Sequence, residues 1–156
     1  MYATPNDRWQ KWLGGITEMR VIRPGGKPQR VLRRSHSVID EPCVALCQAI
    51  NQIPGIKTTS SCCGHGEVCL DIWFHAVALA PLHVIVRAID RNYGAPGGWA
   101  LTVHGTDLPE KAICFRLASR SKGVNAFVEA ERVAASIIRH LQDADYCTTF
   151  GLESSL

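Results

Sequence analysis

The sequence predicts an α+β domain in which helices pack on a mainly antiparallel sheet. Two observations carry this. After residue 36 the apolar spacing switches between three-to-four and strict alternation, in the order α-β-β-α-β-β-α. The alternating segments follow one another across short turns, and such turns join strands antiparallel rather than through a crossover. The 156 residues suit one domain with its own core. We divide the chain into an N-terminal arm and β-hairpin (1–35), an α+β domain (36–142) and a C-terminal tail (143–156).

The hairpin is placed at 16–34. Ile16–Arg23 is rich in β-branched residues, Pro24-Gly25-Gly26-Lys27-Pro28 is a turn, and Gln29–Arg34 is the return strand. It carries Arg20, Arg23, Arg30, Arg33 and Arg34, a solvated face or a basic arm for RNA phosphate. The first helix of the domain is expected from Asp40, a good N-cap residue, with Glu41 and Pro42 in its first turn. Cys43, Leu46, Cys47 and Ile50 form its apolar stripe, and Asn51 and Pro54-Gly55 end it. Ile56–Ser60 is a short strand. Residues 67–75 alternate, with Val68, Leu70, Ile72 and Phe74 on one face and Cys69, Asp71, Trp73 and His75 on the other. A helix follows over 79–92, with Pro81 in its first turn. Trp99, Leu101 and Val103 alternate as a strand ending at His104, and Ile113, Phe115 and Leu117 as the next. Asn125 is the expected cap of a helix to Gln142, and the tail from Asp143 has no period. The α-β-β unit occurs twice, at 40–75 and 79–118, which raises an internal duplication. In that view His75 and His104 occupy comparable strand ends.

Net charge is +3 and charged residues are 20% of the chain. That is less basic than a dedicated nucleic-acid domain, though a local patch can do the work. The start of the chain carries Asp7, Arg8 and Lys11 without an apolar core, unlike a secretory signal. The most apolar window, Ile72–Val86, is interrupted by His75, Pro81 and His83 and is too polar to span a bilayer. We therefore expect a cytoplasmic protein without membrane partners, its seven cysteines reduced.

The chemistry concentrates at 58–66, Thr-Thr-Ser-Ser-Cys-Cys-Gly-His-Gly. Three readings compete with a plain tight turn. Cys62, Cys63, His65 and Cys69 are four metal ligands within eight residues. Neighbouring thiols tend to point apart, however, so we assign no metal ligand and keep a non-catalytic zinc- or small-ligand-binding module as the alternative function. A second reading is a Cys62 or Cys63 nucleophile beside His65, for which the sequence shows no orienting acid. The third, which uses most residues, is a cradle of backbone amides and Ser60 and Ser61 hydroxyls for a small molecule or nucleic acid.

Thr58-Thr59-Ser60-Ser61-Cys62-x-Gly64 resembles the motif of the tRNA wybutosine-synthesising methyltransferases, which read Thr-Thr-Ser-Ser-Cys-x-Gly-Arg after a helix. Ser37–Glu41, Ile50-Asn51 and the strand ending in His75 are similar to the family's flanking segments, so the outline covers about 36–142. The family's arginine is His65 here. The resemblance implies methyl transfer from S-adenosylmethionine to a tRNA nucleobase on a fold without the usual dinucleotide loop, and no G-x-G-x-x-G follows a first strand here. On this reading we place the cofactor at Thr59, Ser60, Ser61, Cys62 and Gly64, and the chemistry at Cys62, His65 and His75, with His104 nearby. The resemblance also makes Cys62 more sensitive to substitution than Cys63.

Overall fold

A computed structural model describes residues 4–21, 39–90, 98–107, 109 and 111–149, with backbone alone at 15–21, 107 and 144. Its elements are α1 (Pro5–Val21), α2 (Glu41–Asn51), β1 (Ile56–Cys62), a single 3-10 turn (Gly64–Gly66), β2 (Cys69–Ala76), α3 (Leu82–Ile89), β3 (Trp99–Asp107), β4 (Ala112–Lys122), α4 (Gly123–Gln142) and α5 (Ala144–Thr149). The four strands form one antiparallel sheet in the order β1-β2-β4-β3. This is the expected α+β class. The two α-β-β units lie side by side, joined at the central β2–β4 pair.

The N-terminal expectation is corrected. Residues 16–21 are the end of α1, not the first strand of a hairpin. The start of α1 explains why. The Thr4 hydroxyl accepts from the Asp7 amide, and the Asp7 carboxylate accepts from the Thr4 amide. That reciprocal cap, with Pro5 in the first helical position, starts the helix strongly. Trp9 and Trp12 then meet Phe127 of α4 edge-on, at 5.7 and 5.8 Å between ring centres. Trp9 is buried in the same core as the sheet. The rest of the expected hairpin, 22–34, lies outside the described residues.

Smaller differences follow the same logic. The helix expected at 79–92 is Leu82–Ile89 with Pro81 just before it, and α4 begins at Gly123 rather than after Asn125. The tail expected to lack structure contains α5, held by buried Cys147 and by Tyr146 against His83 and His140. Val68, expected inside, precedes β2 and is exposed.

The sheet has two unlike faces. Leu70, Ile72, Phe74 and Ala76 of β2 point into the core with Phe115 and Leu117 of β4, beneath α2, α3 and α4. Burying each large apolar side chain there contributes about 1.5–3 kcal/mol. The opposite face carries Cys69, Asp71, Trp73 and His75 of β2, and directly opposite residues of paired strands share a face. It therefore also includes Lys57, Ser60 and Cys62 of β1 and Cys114 and Arg116 of β4, none of them in the core cluster.

Candidate functional site

The loop at 58–66 is folded by contacts that assign nearly every one of its residues. Thr58, within β1, donates its amide to Asn51 Oδ1 and accepts from Asn51 Nδ2, both at 2.8 Å. Thr59 is the exposed residue at a register shift between Thr58 and Ser60. Ser60 faces out opposite Trp73, whereas Ser61 faces in and hydrogen-bonds the Cys47 side chain on α2. Cys62 is half-buried at the rim of the open face, opposite Asp71, while Cys63 is fully buried. The two thiols do point apart.

Beyond β1 the chain passes through three successive left-handed residues: Gly64 (φ 74°), His65 (φ 52°) and Gly66 (φ 83°). A side chain at Gly64 is excluded, since a Cβ would lie 2.6 Å from the Cys69 carbonyl oxygen. His65 is the one non-glycine residue of the three, and its backbone conformation is costly for an L-residue. The turn swings the imidazole to Asp40, with Nε2 3.6 Å from Oδ2. The acid that the sequence could not supply for His65 is therefore Asp40. This residue precedes α2 without capping it and instead accepts the Cys63 amide at 3.1 Å.

These contacts take up part of the expected amide cradle. The amides of Cys63, Gly64 and His65 donate to Asp40 Oδ2, Cys62 Sγ and Cys63 Sγ. Three consecutive donors are spent inside the loop. The nucleophile expectation also loses its physical basis. Burial raises the Cys62 thiol above its ordinary value against the pull of the Gly64 amide, and burial raises the Cys43 and Cys63 thiols strongly. Activated thiols are shifted the other way.

The open face next to this loop is ordered by one ion pair that sequence reading missed. Arg116 reaches Asp71 Oδ2 with Nε at 2.9 Å and an η-nitrogen at 2.8 Å, and touches Cys69 Sγ at 3.5 Å. The Asp71 hydrogen bond holds the guanidinium pKa above its ordinary value. Arg116 lies 5.9 Å from the centre of the Trp73 ring, and the His104 ring lies 4.5 Å from it. Thr102 Oγ1 sits 3.0 Å from His104 Nε2. His75 faces out between Lys57 and Cys114. His75 and His104 are not comparable places: β2 corresponds to β4 and β1 to β3, so one lies on a central strand and the other on an edge strand. The signal for Arg116 was its place in an alternating strand, outward between Phe115 and Leu117.

Of the arginines expected to meet RNA, Arg20 lies on α1, and Arg23, Arg30, Arg33 and Arg34 lie outside the described residues. Among the described residues no helix is long and apolar enough to cross a membrane. Comparison of the chain with protein families, with curated proteins and with solved structures finds no match.

Proposed function

We propose that the domain binds a nucleoside-containing ligand on the open face of its sheet, and that the reaction there is methyl transfer to a nucleobase nitrogen with S-adenosylmethionine as donor. The observation that carries the binding is the outward Trp73 ring, with His104 at 4.5 Å and the Asp71-anchored Arg116 at 5.9 Å beside it. A base stacked on an aromatic side chain gains about 1–3 kcal/mol. The resemblance of residues 58–64 to wybutosine-synthesising methyltransferases supports the choice of reaction.

The fit to the donor rests on the open face rather than on the loop, because the loop amides are engaged. Trp73 offers the surface for an adenine ring, and Lys57, opposite His75, offers a cation for a carboxylate. When bound, S-adenosylmethionine supplies an electrophilic methyl group on a sulfonium. His75 takes the proton that the nucleobase nitrogen gives up, at an imidazole nitrogen, as general base. Cys62 and Ser60, outward on β1, border the reacting groups.

Calorimetric titration of the reduced protein with S-adenosylmethionine and with guanosine tests this. Saturable heat for either, weakened at least tenfold in Trp73→Ala, is expected. No saturable heat with either compound, or heat indifferent to Trp73→Ala, overturns the proposal.

A further inference from the structure

We propose that Asp40, Cys62 and His65 bind one divalent transition metal of the zinc class, in tetrahedral geometry with the fourth position left to water or a ligand. This does not rest on the methyl-transfer reading, although Cys62 borders both sites. It uses the rim of the loop rather than the Trp73 face.

The three ligand atoms converge. One ligand atom from each of the three residues lies within 4.8 Å of the other two. With metal bonds of about 2.0–2.3 Å, tetrahedral ligands stand about 3.3–3.8 Å from one another. The Asp40 Oδ2 to His65 Nε2 distance is already 3.6 Å. The widest separation in the group, at most 4.8 Å, needs to shorten by about 1.5 Å at most to meet that geometry. All three side chains are half-buried, so they are shielded yet reachable by an ion from solvent.

The donor set points the same way. One thiolate, one imidazole and one carboxylate suit zinc, whereas magnesium and calcium prefer oxygen throughout. The arrangement also differs from a nucleophile relay. In a relay the imidazole stands between thiol and acid and offers each a different ring nitrogen. Here single atoms of all three residues gather around one point.

The surrounding backbone supports the three ligands. The Gly64 amide points at Cys62 Sγ at 3.4 Å, where it would stabilise a metal-bound thiolate. The Cys63 amide fixes Asp40 Oδ2 at 3.1 Å. Such outer hydrogen bonds orient ligands and tune a metal site. Asp40 leaves the N-terminus of α2 uncapped to make this contact, and His65 holds a left-handed backbone to reach it. Two locally unfavourable choices thus serve one point in space.

The test is titration of the reduced, chelator-treated full chain with cobalt(II), read by optical absorption, with zinc as competitor. We expect one equivalent to bind, with thiolate-to-metal charge transfer and the intense visible bands of a tetrahedral ion, and zinc to displace it. His65→Ala and Asp40→Asn should weaken binding at least a hundredfold, and Cys62→Ser should abolish the charge-transfer band. Cys114→Ser, on a different strand, should leave the spectrum unchanged. His65→Ala changes a partly exposed side chain, so it keeps the test sharp even where Cys62→Ser lowers the yield of folded protein. Absence of one-equivalent binding by the folded wild-type chain overturns the proposal. So does a charge-transfer band that persists in Cys62→Ser, or affinity unchanged in His65→Ala.

Discussion

Asp40 Oδ2 accepts the Cys63 amide at 3.1 Å across twenty-three residues of chain, and the helix that Asp40 precedes goes without a side-chain cap. The carboxylate therefore fastens the start of α2 to the far end of β1. Removing the acceptor leaves a partly buried N–H without its partner, at about 1–3 kcal/mol. We expect Asp40→Ala to lower unfolding free energy by that amount in urea titrations. Asp40→Asn keeps an oxygen in place and should lose less than half as much. Equal losses in both variants would show that charge, not the hydrogen bond, holds the loop.

Gly64 makes a sharper demand on the loop. Its φ of 74° and the Cys69 carbonyl oxygen 2.6 Å from a built Cβ oppose any side chain. Strain and displaced backbone together should cost Gly64→Ala about 2–4 kcal/mol. Gly14 is the control: it lies within α1, and nothing stands within 4 Å of its Cβ position. There alanine is the better helix former, and Gly14→Ala should stabilise by about 0.5–1 kcal/mol. Thermal unfolding of both variants beside the wild type decides the matter. A Gly64→Ala protein melting with the wild type would mean that the turn has another way to close.

The neighbouring thiols separate by depth. Cys63 is fully buried in the core cluster with its sulfur against the His65 amide and Asp40, so Cys63→Ser buries a more polar group than the thiol and should cost about 1–3 kcal/mol. Cys62 is half-buried at the rim, and Cys62→Ser should change stability by less than about 1 kcal/mol. Denaturant midpoints of the two variants, taken with chelator present, give the comparison. The reverse order of losses would place the wrong cysteine in the core.

Much of the sheet is legible from alternation, because Leu70, Ile72 and Phe74 must share a face and that face must be covered. What local pattern does not contain is the pairing of β2 with β4, and with it the difference between His75 and His104. At the N-terminus two local signals disagree. Ile16, Val21 and Ile22 favour a strand, whereas the Thr4–Asp7 cap favours a helix. The burial of Trp9 against Phe127, a partner more than a hundred residues away, settles it. The loop at 58–66 announces itself by composition. Its acidic partner, Asp40 for His65, and the Asp71–Arg116 pair on the open face beside it are fixed only when α2 and β4 are in place. Asp40 is legible as an N-cap residue, but its side chain goes to Cys63 and His65 instead.

At the far end of the fold, α5 is held on α3 and α4. His140 Nδ1 donates to the Ser136 carbonyl at 2.8 Å, and its ring lies 4.9 Å from that of Tyr146. Tyr146 also hydrogen-bonds His83. Burial, and then Arg87 and Arg139, lower the His140 pKa below its ordinary 6.5, against the pull of the Ser136 carbonyl and Asp143. The folded state resists a proton that the unfolded chain accepts. Stability should therefore fall as the pH drops through 6.5 toward the lower folded value, and the loss should level off below that value. His140→Gln removes the titration while keeping a donor for Ser136. The difference in urea midpoint between wild type and His140→Gln should shift in favour of the variant between pH 7.5 and pH 5. A difference independent of pH would mean that α5 docks without regard to the charge on His140.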